Sequence, residues 1–221
     1  MKTLVAIPNS QPFIPTDFFR SFIEMELPDC EIKVFGSFPP TRNRNDAVKY
    51  FLAGDYEQLL WIDSDMKHAK DLLTRLEAHD KDIVSALYFQ RNYPFYPIMF
   101  MENETDKGTT YQMIYNWSRG LMEVDSIGTG CVLIKRKVLE ALDFPYCEYT
   151  RSPLKEDAYI GEDTYLFKKC KAKGFKMYVD TTIECRHLVN NSIGEQEARY
   201  ALGEHYKTMS RLKETGCLDE T

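Results

Sequence analysis

The run Leu59-Leu60-Trp61-Ile62 passes without a break into Asp63-Ser64-Asp65. A continuous apolar run has no face to offer water, so it belongs on a strand covered from both sides, as in a parallel sheet with helices on each face. The carboxylates that end it then stand at the carboxyl edge of a central strand, where open α/β sheets bind ligands. Two hard oxygen ligands two residues apart on a tightening turn suit Mg²⁺ or Mn²⁺ better than zinc, and such an ion most often neutralises a diphosphate. The structural alternative is that Asp63 and Asp65 form a turn and cap the next helix, as Asx residues commonly do.

The neighbouring segments fit the same sheet. Leu4-Val5-Ala6-Ile7 reads as a first strand ending at Pro8-Asn9-Ser10, and Phe18 to Met25 recurs at helical spacing until Leu27-Pro28. Cys30 to Phe35 reads as a strand, Arg44 to Ala53 as a helix, Lys70 to His79 as a helix and Asp82 to Leu87 as a strand. This alternation is the pattern of a doubly wound α/β fold. After Tyr88 the rhythm changes to short strands and aromatic-rich loops through residue 117. A Gly128-Thr129-Gly130 turn leads into the strand Cys131 to Ile134, a short helix covers Lys137 to Leu142, and a long loop runs from Asp143 to Ile160. A helix from Glu162 to Lys173, strands at Lys176–Val179 and Thr182–His187, and a charged helix from Glu195 to Lys213 complete the reading.

The 221 residues match about one and a half typical domains. No linker separates them, so the expectation is one domain over 1–221, in two halves (1–90 and 91–190) with a terminal helix and tail (191–221). The net charge of −6 gives no general attraction to nucleic acid or anionic membrane. Six scattered cysteines without a Cys-x-x-Cys pair argue against a zinc ribbon or a disulfide framework. No apolar window reaches the roughly 20 residues of a membrane span. The expectation is a soluble, cytoplasmic protein with reduced thiols.

Three further places bear on chemistry. Gly161-Glu162-Asp163 opens an amphipathic helix. A carboxylate there is either a charged cap held by free amides or a fixed base at a cleft edge that takes a proton from an acceptor hydroxyl. His187 closes a late strand, as a structural hydrogen-bonder or as a metal ligand. Arg42-Asn43-Arg44-Asn45 precedes the second helix, where arginines beside free amides can clamp a diphosphate. Gly128-Thr129-Gly130 lacks the third glycine of a dinucleotide fingerprint and precedes a strand, which disfavours a nicotinamide enzyme.

Taken in order, Ala6-Ile7-Pro8, Arg44-Asn45, Trp61-Ile62-Asp63-Ser64-Asp65, Gly128 to Ile134, Gly161-Glu162-Asp163 and His187 resemble nucleotide-sugar glycosyltransferases of the GT-A fold, the family-two-like inverting members, over roughly residues 2–190. The resemblance implies a single-domain GT-A α/β fold with a Rossmann-like mixed central sheet flanked by helices. It implies a hexosyltransferase that moves a sugar, glucose being the base-rate choice, from a UDP-sugar to an acceptor hydroxyl. Asp63 and Ser64 would hold the nucleotide, and Asp63, Asp65 and His187 would hold Mn²⁺ or Mg²⁺. Asp163 would be the general base with Glu162 touching the acceptor. Pro8, Asn9, Arg44 and Asn45 would meet base, ribose or diphosphate, and Gly128, Thr129 and Gly130 would lie under the donor sugar, where missing side chains allow close approach.

One base and no carboxylate nucleophile implies inversion, by the geometric logic that separates glycosidases. The chain ends soon after the histidine, so acceptor recognition falls to loops such as Tyr88–Met101 and Asp143–Ile160, whose aromatics either stack on a ligand or roof the core. The acceptor class stays open between a glycan, a lipid-linked sugar, a protein and a modified nucleobase. Two other readings stand: a sugar-phosphate nucleotidyltransferase, which usually carries a glycine-rich, lysine-bearing loop absent from Pro8-Asn9-Ser10-Gln11-Pro12, and a non-catalytic nucleotide- or glycan-binding module.

Overall fold

A computed structural model describes residues 1–106, 108–152, 158–189 and 192–214. Its centre is a seven-stranded mixed sheet. In spatial order the strands are Cys30–Phe35, Thr3–Pro8, Gln58–Ile62, Cys131–Lys135, Ile83–Leu87, Met177–Glu184 and Leu121–Val124. The first three are mutually parallel, as are Ile83–Leu87 and Met177–Glu184. Cys131–Lys135 runs antiparallel to both of its neighbours.

Alternation along the central strands explains the burial. Leu4, Ala6, Leu59 and Trp61 face one core with Phe51, Phe89 and Phe167, while Val5, Ile7, Leu60 and Ile62 face a second with Phe18, Leu72 and Leu76. A strand with no polar face is therefore clothed on both sides, as its composition requires. Burying a side chain such as Trp61 or Leu60 contributes roughly 1.5–3 kcal/mol. The outer helices follow from the same logic: Ala47, Val48 and Phe51 from Pro40–Ala53, Leu166, Phe167 and Cys170 from Glu162–Ala172, and Ala198 and Leu202 from Glu195–Glu214 all enter the first core. Gly174, with φ of +86°, closes the turn after Glu162–Ala172 in a conformation that favours glycine.

Several boundaries differ from the sequence reading. The second helix begins at Pro40, not Arg44, because Pro40 supplies a preset φ at the first turn. Arg44 and Asn45 thus sit inside the helix, away from its free amides. The strands expected at Lys176–Val179 and Thr182–His187 are one strand, Met177–Glu184, followed by Arg186–Leu188. Asp63-Ser64-Asp65 leads into a short strand, Met66–Lys67, and the next helix starts only at Leu72, so the capping alternative for that motif does not apply. The aromatic stretch folds into the hairpin Met99–Thr105 and Gly108–Met113. Cys30, Cys131, Cys147, Cys170 and Cys185 are free thiols, four of them buried, whereas Cys217 and residues 153–157 of the long loop lie outside the described residues. Among the described residues, no helix is long and apolar enough to cross a membrane.

Candidate functional site

The antiparallel central strand decides what meets at the sheet edge. Because Cys131 pairs with Ile62 in antiparallel register, the residue before one strand lies beside the residue after the other. The Asp63 amide accordingly donates to the Gly130 carbonyl at 2.8 Å. Ser64 ties the same turn to the end of the first strand, with Oγ 3.2 Å from Asn9 Oδ1 and 3.4 Å from the Pro8 carbonyl.

His187 reaches the turn through a second, smaller sheet. Arg186–Leu188 pairs antiparallel with Met66–Lys67, placing His187 opposite Met66, and the Leu188 amide donates to the Asp65 carbonyl at 2.8 Å. The His187 Nδ1 hydrogen-bonds the Phe89 carbonyl. A carbonyl only accepts, so Nδ1 carries the proton, and in the neutral ring the lone pair sits on Nε2. That Nε2 lies 3.8 Å from Asp65 Oδ1. The other carboxylate oxygen, Oδ2, is 2.9 Å from Nη1 of the half-exposed Arg91.

Arg44 organises the second group of carboxylates. Its buried guanidinium places Nη2 2.9 Å and 3.2 Å from the two oxygens of Asp63, and Nε 3.7 Å from Glu162. Burial opposes the charge, but Asp63 and Glu162 outweigh it and hold the guanidinium above its ordinary value. Asp163, the next residue in the helix, responds the opposite way. Burial first, then the charge of Glu162, pushes its carboxyl up from 3.8 to about 6, against a restraining hydrogen bond from the Thr164 amide at 2.7 Å and the more distant Arg44. Two adjacent carboxylates are thereby made unequal: one is paired with a cation and the other titrates near neutrality.

Beside these groups is a cavity of about 520 Å³ lined by Pro8, Asn9, Arg44, Asp63, Ser64, Asp65 and Glu162 from the sequence reading. Tyr149, one of the aromatics expected to stack on a ligand or roof the core, lines it too, as do Asn43 and Arg91, which were not anticipated. Arg91 was legible in principle: Tyr88 follows the end of a central strand, so a charged residue shortly after it lands at the same edge. Asn43 was hidden in the Arg42 to Asn45 tetrad, where only the helical register, now starting at Pro40, shows which side chains face inward. Its Nδ2 donates to Ser10 Oγ at 2.9 Å. His187 and Asp163 are not among the residues lining this cavity.

Asn45 and the Gly128-Thr129-Gly130 turn lie outside the lining of this cavity. Asn45 does not face the cavity: its Nδ2 donates to the carbonyls of Thr41 and Cys147 at 2.8 and 2.7 Å, and its Oδ1 accepts from the amides of Tyr146 and Cys147. An amide with two donors and two lone pairs is then saturated, so Asn45 fastens the 145–147 loop to the helix. Gly128, Thr129 and Gly130 are buried and absent from the cavity lining. Tyr88 occupies the space that the two glycines leave: its Oη would lie 1.9 Å from a Cβ at Gly128 and accepts the Gly130 amide at 3.0 Å. The metal set expected from Asp63, Asp65 and His187 is also divided, since Arg44 holds the Asp63 carboxylate while Asp65 and His187 face each other. Among the described residues no three metal-ligating side chains converge.

No protein-family model matches the chain, and no curated protein is similar to it in sequence. Solved structures do match. A197 from STIV superposes with a TM-score of 0.60 at 22% identity, covering 86% of this chain and 86% of that one. TarS from S. aureus superposes with a TM-score of 0.50 at 15% identity, covering 82% of this chain and 35% of TarS. At these identities the likeness concerns the fold alone, a mixed α/β fold with a central seven-stranded sheet flanked by helices.

Proposed function

We propose that the protein is a glycosyltransferase that takes a sugar from a UDP-sugar, bound in the cavity at the sheet edge, and passes it to an acceptor hydroxyl. The observation that carries this reading is the pairing of Asp65 with His187. A histidine whose Nδ1 is committed to a backbone carbonyl and whose Nε2 faces a carboxylate across 3.8 Å has the arrangement of a metal ligand with its outer partner in place. One carboxylate and one imidazole leave coordination positions open, which fits a cation that takes its remaining ligands from a diphosphate and water. Asp65 and His187 would hold Mn²⁺ or Mg²⁺; Asp63, neutralised by Arg44, would instead position the nucleotide. Such an ion supplies Lewis-acid stabilisation of the departing diphosphate.

The chain's own side chains account for the remaining requirements. Arg91, half-exposed beside Asp65, would add positive charge where the leaving phosphate develops its negative charge. Asp163, with its carboxyl raised to about 6, would be ionised at neutral pH yet basic enough to accept the acceptor proton. Glu162, held near Arg44, would touch the acceptor at the cavity wall. A single base with no carboxylate nucleophile supports inversion at the anomeric carbon.

Isothermal titration with UDP, with and without Mn²⁺, tests the reading in the wild type and in Asp65→Ala and His187→Ala. Binding is expected to require Mn²⁺ in the wild type and to weaken at least about tenfold in each variant, the effect expected of a lost ligand. Binding of UDP that ignores the metal, or none at all, would overturn it.

A further inference from the structure

We propose that the larger groove next to this cavity is an acceptor site for an uncharged glycan. The proposal rests on the glycosyltransferase reading above and names its acceptor class. The groove has a volume of about 920 Å³ and lies between the loop carrying Tyr93 and Phe95, the strand Arg186–Leu188 and the helix Glu195–Glu214. It adjoins the proposed donor cavity along two rims: Pro15 lines one and Asp17 the other, and Arg91 lines one and Tyr93 the other. The two spaces are therefore arranged as neighbours around the Asp65 turn, as a donor and an acceptor must be.

The chemistry of the lining chooses between acceptors. Lys67 lies 3.1 Å from Asp17, Arg186 lies 2.8 Å from Glu197, and Glu204 lies 2.8 Å from Lys207. Every charged side chain of the groove is thus already neutralised by another side chain of the protein. A phosphorylated lipid, a nucleic acid or an acidic polysaccharide would need cations to spare. What the groove offers instead is aromatic surface. Tyr93 is 58% exposed and Tyr200 is 75% exposed, exposures that leave ring faces available to a ligand. Tyr93 is held by edge contacts to Phe95 and His205, with centroids 6.1 and 5.9 Å away, so its position is set before a ligand arrives. The electron-rich face of a tyrosine suits the C–H face of a pyranose, and its hydroxyl, with Gln196 at the groove wall, suits the sugar hydroxyls.

The walls are also fixed in place. Arg186 bridges Glu184 at 3.3 Å and Glu197 at 2.8 Å, joining the end of a central strand to the first turn of the terminal helix. Since Arg186 and Leu188 line the groove and His187 between them turns to Asp65, one short strand lines the groove with one face and meets the Asp65 turn with the other.

The test uses the full chain with maltohexaose, cellohexaose, chitohexaose and mannohexaose as neutral probes, heparin as an anionic one, and UDP with Mn²⁺ as an independent check on the donor reading. Binding is followed by NMR titration in the wild type, Tyr93→Ala and Tyr200→Ala. At least one neutral saccharide is expected to bind, at least tenfold more weakly in either variant, while UDP affinity in the variants stays within twofold. Failure of all four neutral probes at up to about 10 mM, the range of a weak contact, would overturn the proposal even with UDP binding intact. Saccharide binding that the tyrosine variants leave unchanged, tighter binding of heparin in the groove, or tyrosine-dependent self-association in sedimentation without saccharide binding would do the same. Saccharide binding that depends on the tyrosines in a protein that ignores UDP would retain the groove as a glycan site and remove the donor reading instead.

Discussion

Nη2 of Arg44 lies within 2.9 and 3.2 Å of the two carboxylate oxygens of Asp63, so a single buried guanidinium from the helix Pro40–Ala53 grips the end of a central strand. The same side chain reaches Glu162 at 3.7 Å, and three elements are joined through one charge. Removing it leaves Asp63 without its main partner in a half-enclosed site. Arg44→Ala is expected to lower unfolding free energy by about 3 kcal/mol, the scale of a broken buried ion pair. Arg44→Lys is expected to recover only part of this, because a point charge cannot address both carboxylates as the guanidinium does. Urea denaturation of the two variants measures both effects, and equal stability of Arg44→Ala and wild type would refute the assigned role.

Asp163 makes stability and activity depend on pH in opposite directions. Its carboxyl is raised from 3.8 to about 6, so the folded protein holds this proton where the unfolded chain has lost it. The stability contributed by the group is full below about 3.8 and is lost as pH rises through about 6. Asp163→Asn is therefore expected to be more stable than wild type at pH 7 to 8, by up to about 3 kcal/mol. Turnover should change in the other sense: the wild-type rate rises with pH to a plateau above about 6, and the variant loses at least about 100-fold. Denaturation at several pH values and a pH–rate profile read the two effects separately.

Gly128 and Tyr88 compete for one volume. A Cβ at Gly128 would stand 1.9 Å from Tyr88 Oη and 2.6 Å from Ile98 Cγ2. Gly128→Ala should cost about 1–3 kcal/mol through overpacking. Tyr88→Phe alone should cost about 1–3 kcal/mol by orphaning the Gly130 amide. In the double variant the removed hydroxyl makes room for the added methyl, so the combined loss is expected to be smaller than the sum. A strictly additive cycle in thermal or urea unfolding would show that the hydroxyl is not the obstacle.

Asn45 separates a fastening role from a ligand-binding one. With its amide saturated by Thr41, Tyr146 and Cys147, Asn45→Ala leaves buried backbone groups of the 145–147 loop without partners. A loss of about 2–3 kcal/mol in stability is expected, together with UDP affinity within about twofold of wild type. Paired unfolding and titration measurements decide the matter: a variant that keeps its stability but loses UDP would return Asn45 to the nucleotide site.

Much of the fold was legible because the apolar runs of its first and third strands have no polar residues to place. Leu4 to Ile7 and Leu59 to Ile62 admit only a doubly covered position, and Cys30–Phe35 matched its expected bounds. The start of Pro40–Ala53 was less legible, since Pro39 and Pro40 read as loop residues until the chain is seen to use Pro40 in the first turn. That shift of four residues is more than one helical turn, and it decides that Asn43 and Arg44 face the cavity while Asn45 faces the 145–147 loop.

The candidate site divides along the same line. Local sequence determined that carboxylates would end a buried strand and open a helix, because both features follow from hydrophobic pattern and capping within a few residues. Only the tertiary structure decided how those carboxylates are shared: Asp63 and Glu162 with Arg44, Asp65 with His187 and Arg91, and Asp163 left to titrate near neutrality. Electrostatic partnership depends on distance and burial in space, and these partners are brought together by strand order, above all by the antiparallel strand Cys131–Lys135 and the small sheet that carries His187 to the Asp65 turn. The packing of Tyr88 against Gly128 and Gly130 was hidden for the same reason, since what fills the space beside a glycine is set by the fold around it.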